Sequence, residues 1–463
     1  MAGTWIALVL LSGASCSPSV AQAPPGAPAS ERARPETQRE IDAAMPVPPQ
    51  PDGAVEHDAG DTPVAVPDSA DVSTQTPRID PSEHARATVP IEDPHGAMRH
   101  FYERLEAVAR HEDGAMARIS FYSDSVNGTD LVSSALRHAM QARFGDGGKG
   151  FVPIAKGWPT HFHRDVVWLD QRTWSTEVVN RGNAPAGRYG LGGVVATSRG
   201  RRSMTTFRTV AAGPAGTAVS RLRLFYLAWP RGGSVSVAVD GGAPAVVDTR
   251  ADEAEDRVFD VAVDDGPHAF DVRAVDGRVR LYGVVMERDG PGVVVDGLML
   301  IGARARRLVH FDAGHLGRQV ALRGTDLLLF WMGANDAESS YFDETGFVAD
   351  YSAGIEHARA GRPDASCLVM SITDMGERPG GATRRRVPGF VDLQRQVALD
   401  RGCAFFDLFE ATGGPGTARR WFRSQPRLIS GDYTHLTPDG ARAVGEILHH
   451  TLLRGLSEHL DGR

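Results

Sequence analysis

The sequence predicts an α/β protein, a parallel sheet covered by helices, interrupted by an antiparallel β-sandwich. Two textures carry that expectation. Continuous apolar runs at 293–301, 327–332, 368–372 and 404–408 alternate with helical stretches at 388–400 and 438–453, the pattern of strands buried on both faces. Between about residue 158 and 290, period-two alternation appears instead, clearest at 234–239, 259–263, 269–275 and 279–286. Asp240-Gly241-Gly242, Asp265-Gly266-Pro267 and Asp276-Gly277 punctuate it as hairpin turns do.

Ordered structure is expected from near Pro94. Phe101, Leu105 and Val108 recur at helical spacing within 100–111, and a strand candidate follows at 116–122. A second helix is expected from Thr129, with Thr129 as its cap and Leu131, Val132, Leu136, Met140 and Phe144 on its buried stripe. The segment between, Ser123-Asp124-Ser125-Val126-Asn127-Gly128, reads as a strand-to-helix corner.

Upstream lies a different kind of sequence. Trp5 through Leu11 are apolar but too few to span a bilayer, and small residues follow, so 1–23 reads as a secretory or lipoprotein signal and export is expected. Two processing sites compete: Cys16 after Ser12-Gly13-Ala14-Ser15, which would be lipidated and anchor the chain to a membrane, and Ala21-Gln22-Ala23. Residues 24–93 are dense in Pro, Ala, Asp, Ser and Thr and read as a disordered tether. The expected organisation is therefore a signal (1–23), a linker (24–93), the first part of the α/β domain (94–157), the sandwich (158–290) and the second part (291–457).

At 463 residues and 41% hydrophobic content the chain can build a substantial core. A net charge of −8 and the lack of a basic stripe argue against nucleic acid; Arg384-Arg385-Arg386 and Arg419-Arg420 read as solvated charges. With Cys16 set aside, Cys367 and Cys403 each sit in an apolar run, where a bridge between neighbouring strands and two buried thiols both fit. His161 and His163 form an H-x-H pair without a third ligand at recognisable spacing, so exposed polar positions are expected there and no metal. Trp158, Trp168 and Trp174 are expected to pack at the domain junction.

In open α/β sheets reactive groups gather at the carboxyl ends of the strands. The residues following the apolar runs are Ser125, Gly302, Gly333-Ala334-Asn335-Asp336 and Asp374, and Asp432-Tyr433-Thr434-His435 precedes the last helix. An Asp and a His three apart on a turn suit an acid–base pair serving a nucleophile from elsewhere in the fold.

In that order the motifs resemble the SGNH/GDSL hydrolase superfamily over roughly 116–453. Ser123-Asp124-Ser125 looks like its nucleophile block, Gly302 like the second block, Gly333-Ala334-Asn335-Asp336 like the third and Asp432-x-x-His435 like the last. Ser123 departs from the family's usual glycine. Residues 143–148 and the position of the sandwich give a softer similarity to bacterial peptidoglycan and polysaccharide O-acetylesterases.

The resemblance implies a flavodoxin-like SGNH fold and a serine esterase without cofactor. Ser125 would be the nucleophile, His435 the base and Asp432 its orienting carboxylate; the backbone N–H groups of Ser125 and Gly302 with the Asn335 amide would hold the oxyanion. The implied partner is an O-acetylated glycan. Acetyl transfer to a glycan by the same residues, and glycan binding without turnover, are the alternatives.

Overall fold

Every residue of β1 (Met116–Ser123) pairs in parallel with β2 (Gly292–Met299), and Ile119 to Ser123 pair on the other side with β3 (Leu327–Trp331). β4 (Ser366–Met370) and β5 (Ala404–Phe406) extend the sheet in parallel beyond β3, giving the order β2-β1-β3-β4-β5. This is the doubly wound flavodoxin-like order, whose switch point lies between β1 and β3. β1 owes its central place to composition: Ala117, Ile119, Phe121 and Tyr122 are fully buried, which a strand needs when helices cover both faces. The computed structural model describes residues 77–170 and 173–462; Cys16 and both signal-processing sites lie outside them, as do the first 53 residues expected of the tether, 24–76.

Six longer helices flank the sheet: α1 (Arg99–Ala109), α2 (Leu131–Phe144), α3 (Ala313–Arg323), α4 (Glu344–Arg359), α5 (Val387–Asp400) and α6 (Pro438–Asp461). α6 packs on α2 and α1, while α4 packs on α3 and α5. Gly445 is where α6 comes closest to α2, since a Cβ there would stand 2.6 Å from that of Ala135.

The insert is a two-sheet sandwich. One sheet joins strands 150–153, 174–178, 194–198, 219–228, 255–266 and 280–287, and the other joins 167–170, 204–208, 234–239, 245–248 and 269–276. Their inner faces supply Phe207, Leu222, Leu224, Val235, Val237, Phe270, Val272 and Leu281 to a core of their own.

Four expectations change. The insert's first strand is Gly150–Pro153, antiparallel to 280–287, so the sandwich begins ahead of residue 158. Order also begins before 94: Ile79 and Ala87 are buried, and Glu92 bridges to Phe405 at the edge of the sheet. Those few apolar anchors were hidden in a Pro- and Ala-rich context. Thr129 does not cap α2, because Thr129 and Asp130 both have left-handed backbones (φ 59° and 58°). Asn127 takes that role, its Oδ1 accepting from the N–H groups of Val132 (2.8 Å) and Ser133 (3.0 Å). Finally, His161 and His163 are buried rather than exposed: His161 stacks on Trp158 with ring centroids 3.9 Å apart, and both rings meet Trp168 edge-on. Their alternation with Phe162 on a short loop carried no signal of that packing.

Cys367 and Cys403 form a disulfide that joins the amino-terminal ends of β4 and β5. A buried ionic cluster ties the insert to the α/β domain. Arg137 Nη2 meets Asp130 at 3.1 Å and Arg137 Nη1 meets Asp165, while Lys149 Nζ lies 3.3 Å from Asp130. The backbone N–H of Arg164 also donates to Asp130 at 3.1 Å. All four charges are at least nine-tenths buried, so each needs its partners to offset desolvation.

Candidate active site

β1 ends at Ser123, and Asp124 caps the tight turn 125–130 that follows by accepting from the N–H of Val126 at 3.1 Å. The other Asp124 oxygen accepts from the N–H groups of Gly333 (3.2 Å) and Ala334 (3.1 Å), which fastens the loop after β1 to the loop after β3. Burial pushes the Asp124 carboxyl up to about 6 against the opposing effect of these bonds and of His435.

Ser125 is thereby held at the carboxyl edge of the sheet, and its Oγ lies 2.9 Å from Nε2 of His435. The other His435 nitrogen, Nδ1, meets Asp432 Oδ2 at 2.7 Å. Asp432 Oδ1 accepts from the N–H groups of Thr434 (2.9 Å) and His435 (3.0 Å), so one carboxylate shapes its own turn and orients the ring.

Tyr433, inside the turn, has a left-handed backbone (φ 59°), and its carbonyl accepts from the N–H of Gly376 at 2.9 Å. Its ring packs on Phe422 with centroids 4.7 Å apart. Asp374 supports the same region at a distance from the reacting groups: buried, it accepts from the N–H of Ala418, in the helix that carries Phe422.

The electrostatics follow the geometry. Burial opposes charge on both members of the pair, but their mutual hydrogen bond and attraction win: Asp432 is held down at about 2 and His435 is raised above its usual value. The imidazole is thus a strengthened base facing a hydroxyl, with a carboxylate fixing its tautomer. Such a chain can take the proton of a serine attacking an acyl carbon and return it to a leaving alcohol.

The second and third blocks meet beside it. Gly302 follows β2 with φ +70°, and nothing lies within 4 Å of the position of a Cβ, so its backbone faces open space. Asn335 donates from Nδ2 to the carbonyl of Ala303 at 3.1 Å, and Asp336 Oδ2 accepts from the N–H of Ala305 at 2.9 Å. Gly302 and Asn335 are therefore held on adjoining loops.

Reading the sequence did not single out Asp124, Asn127 or Asp336 for roles. Asp124 and Asp336 stood inside matched blocks, and the signal that could have raised them is an acid among buried strand-end residues. Burial drives the Asp336 carboxyl up to about 7, Asp124 adding to the effect while Ala305, Arg304 and Arg306 oppose it.

Beyond Asn335 an open groove of about 990 Å³ runs along Ala337, Glu338, Phe342, Arg384, Arg385 and Phe390.

Comparison with known proteins bears on the fold and on part of the chain. A family model described as GDSL-like lipase/acylhydrolase matches residues 248–443, which include Gly302, Asn335, Asp432 and His435 but not Ser125. Among solved structures, the chain is similar to a peptidoglycan O-acetylesterase at 20% identity and a TM-score of 0.67, over 80% of this chain and 99% of that one. It also aligns with a family two carbohydrate esterase from Clostridium thermocellum at 11% identity, over 63% of this chain and 99% of that one, with a TM-score of 0.27 too low to bear on the fold. No curated protein matches the sequence.

Proposed function

We propose that the chain is an exported serine esterase of the SGNH/GDSL type that hydrolyses O-acetyl esters on a cell-wall or extracellular glycan, a reading supported by the GDSL-like match over residues 248–443 and by the fold shared with a peptidoglycan O-acetylesterase. The observation that carries this reading is the continuous hydrogen-bonded chain from Ser125 Oγ through His435 to Asp432 at 2.9 and 2.7 Å.

In the proposed reaction Ser125 Oγ attacks the acetyl carbonyl as its proton passes to His435 Nε2. The tetrahedral oxyanion is held by the N–H groups of Ser125 and Gly302 and by the Asn335 amide. As the C–O bond to the sugar breaks, His435 returns the proton to the leaving hydroxyl, leaving acetyl-Ser125. Water then attacks with His435 again as base, releasing acetate and restoring the serine. Asp432 stays ionised throughout and stabilises the imidazolium.

Several features support the glycan and the export. The open groove that begins at Ala337, next to the Asn335–Asp336 loop, leaves room for a polymeric substrate to extend past the site. The disulfide between Cys367 and Cys403 suits an oxidising compartment, and the apolar segment at Trp5 to Leu11 suits a secretory signal.

The test is acetate release from an O-acetylated bacterial glycan by wild type and by Ser125→Ala. The variant should keep the wild-type melting temperature and release no acetate above background. Undiminished release would overturn the assignment.

A further inference from the structure

The segment that follows Gly302 presents its side chains in two directions. Ala303, Ala305 and Leu308 are fully buried, whereas Arg304 and Arg307 are half-buried and Arg306 is exposed. The inward residues dock on the Asn335–Asp336 loop through the bonds of Ala303 and Ala305 already described. The outward ones are three arginines within five residues of Gly302 along the chain.

Among the described residues, Arg304, Arg306 and Arg307 make no ion pair with a carboxylate; Arg307 reaches only His310 Nδ1, at 3.5 Å. Other half-buried arginines are held by an acid, as Arg188 by Asp256, Arg362 by Asp364 and Arg395 by Glu92, or by a backbone carbonyl, as Arg104 by that of Met116 and Arg359 by that of Arg401. Arg304 and Arg306 also press on one another's neighbourhood, since both lower the proton affinity of Arg307 after its burial. The one acid they act on nearby, Asp336, is buried and committed to the N–H of Ala305. Like charges gathered without a counter-ion in a chain of net charge −8 call for an anion from outside.

The sandwich helps to hold this segment in place. Asn180, on the insert's turn Val179–Arg181, donates to the carbonyl of Ile301, and His310 Nδ1 lies 3.2 Å from the carbonyl of Val179. The segment is therefore braced on both sides.

We propose that Arg304 and Arg306 form a carboxylate-binding rim beside the oxyanion hole, so that the acetylated substrate is an acidic glycan whose sugar carboxylate lies close to the ester. A planar carboxylate fits the guanidinium fork and would receive charge-assisted hydrogen bonds there. This inference rests on the esterase reading above and names the substrate class that reading leaves open.

The experiment compares acetate release from an O-acetylated polyuronate and from neutral acetylated xylan. Wild type should favour the acidic polymer. Arg304→Gln combined with Arg306→Gln should lower the ratio of the two kcat/KM values at least about tenfold, chiefly through KM for the acidic polymer. Arg306→Glu, a change at an exposed position, should invert the preference. Raising NaCl from about 20 to about 300 mM should raise the wild-type KM for the acidic polymer more than for xylan. A ratio equal in wild type and in both variants would overturn the rim while leaving the esterase reading in place. Release from both polymers by Ser125→Ala at the wild-type rate would instead overturn the esterase reading on which the rim depends.

Discussion

Asn127 Nδ2 donates a hydrogen bond to Ser123 Oγ at 3.2 Å, so the serine standing where the SGNH/GDSL nucleophile block usually has glycine is tied into the turn that carries Ser125. Ser123 lies in β1 and is absent from the residues with positive φ, so this corner needs no glycine backbone. The same Nδ2 also donates to Ser133 Oγ at 3.1 Å, while Oδ1 holds the first turn of α2. Ser123→Gly should thus cost only about 1 kcal/mol, because Asn127 keeps its other partners, and kcat should change by less than about threefold. Asn127→Ala, which strands buried N–H groups at the start of α2, should cost about 2–3 kcal/mol and reduce kcat as well. Urea unfolding and turnover of a small acetyl ester measure both.

The raised proton affinity of His435 sets the direction of the pH profile. The imidazole acts as a base only when neutral, so kcat/KM should rise with pH through a value above 6.5, and Asp432, ionised down to about 2, should add no inflection in that range. The same shift has an opposite consequence for stability: a raised histidine contributes fully below its unfolded value of about 6.5 and loses that contribution as pH climbs through the folded one. Asp432→Asn removes the cause, so the acid limb should move to lower pH while kcat falls about 10³- to 10⁴-fold. A pH–rate profile in which wild type and variant share one inflection would contradict this account.

How much was legible in the sequence depended on whether the signal was local. β1, β3 and the α6 helix announced themselves because apolar runs and helical periodicity are read within a few residues. Ser125, Gly302, Asn335 and the Asp432/His435 turn were legible because each follows or precedes such an element. Asn127 was not, since its capping role follows from the left-handed backbones of Thr129 and Asp130, which delay the helix by two residues. The strand Gly150–Pro153 was missed because four residues rich in Gly and Pro carry no alternation; its partner at 280–287 defines it. The burial of His161 and His163 depends on Trp158 and Trp168 folding back around them, a tertiary arrangement with no periodic trace.

The disulfide lends itself to a separation of stability from activity. Cys367 and Cys403 are almost fully buried and join the amino-terminal ends of β4 and β5, whereas Ser125 and Asn335 lie at the carboxyl edge. Their sequence separation of 36 gives a loop whose closure in the unfolded chain is worth about 4 kcal/mol in the chain-entropy model. Replacing both with Ala should lower Tm by roughly 8–16 °C and leave kcat nearly intact well below the transition. Reductant should shift the wild type in the same direction and leave the double variant where it was. A large loss of kcat at low temperature would mean that the bridge acts on the site after all.

Asp336 offers the sharpest test of how the proposed oxyanion loop is held. Its carboxyl accepts from the N–H of Ala305, and burial has raised it to about 7, so the folded protein carries a cost that grows as pH rises from the unfolded value of about 4 towards about 7. The sign follows from linkage: with the folded value above the unfolded one, the protonated form is the favoured one in the native state, and stability is lost as pH rises between the two values, levelling off above about 7. Asp336→Asn keeps an oxygen for Ala305 and removes the charge, so its Tm relative to wild type should improve between about pH 5 and about pH 7 and then level off. Asp336→Ala leaves the Ala305 N–H buried without a partner, which should cost about 1–3 kcal/mol and let the 302–305 segment shift. Because Asn335 Nδ2 also bonds the carbonyl of Ala303, that shift should disturb both proposed oxyanion donors, Gly302 and Asn335, together, and kcat should fall in the alanine variant far more than in the asparagine one. Equal losses in the two variants would show that the charge of Asp336, and not its bond to Ala305, is what the site requires.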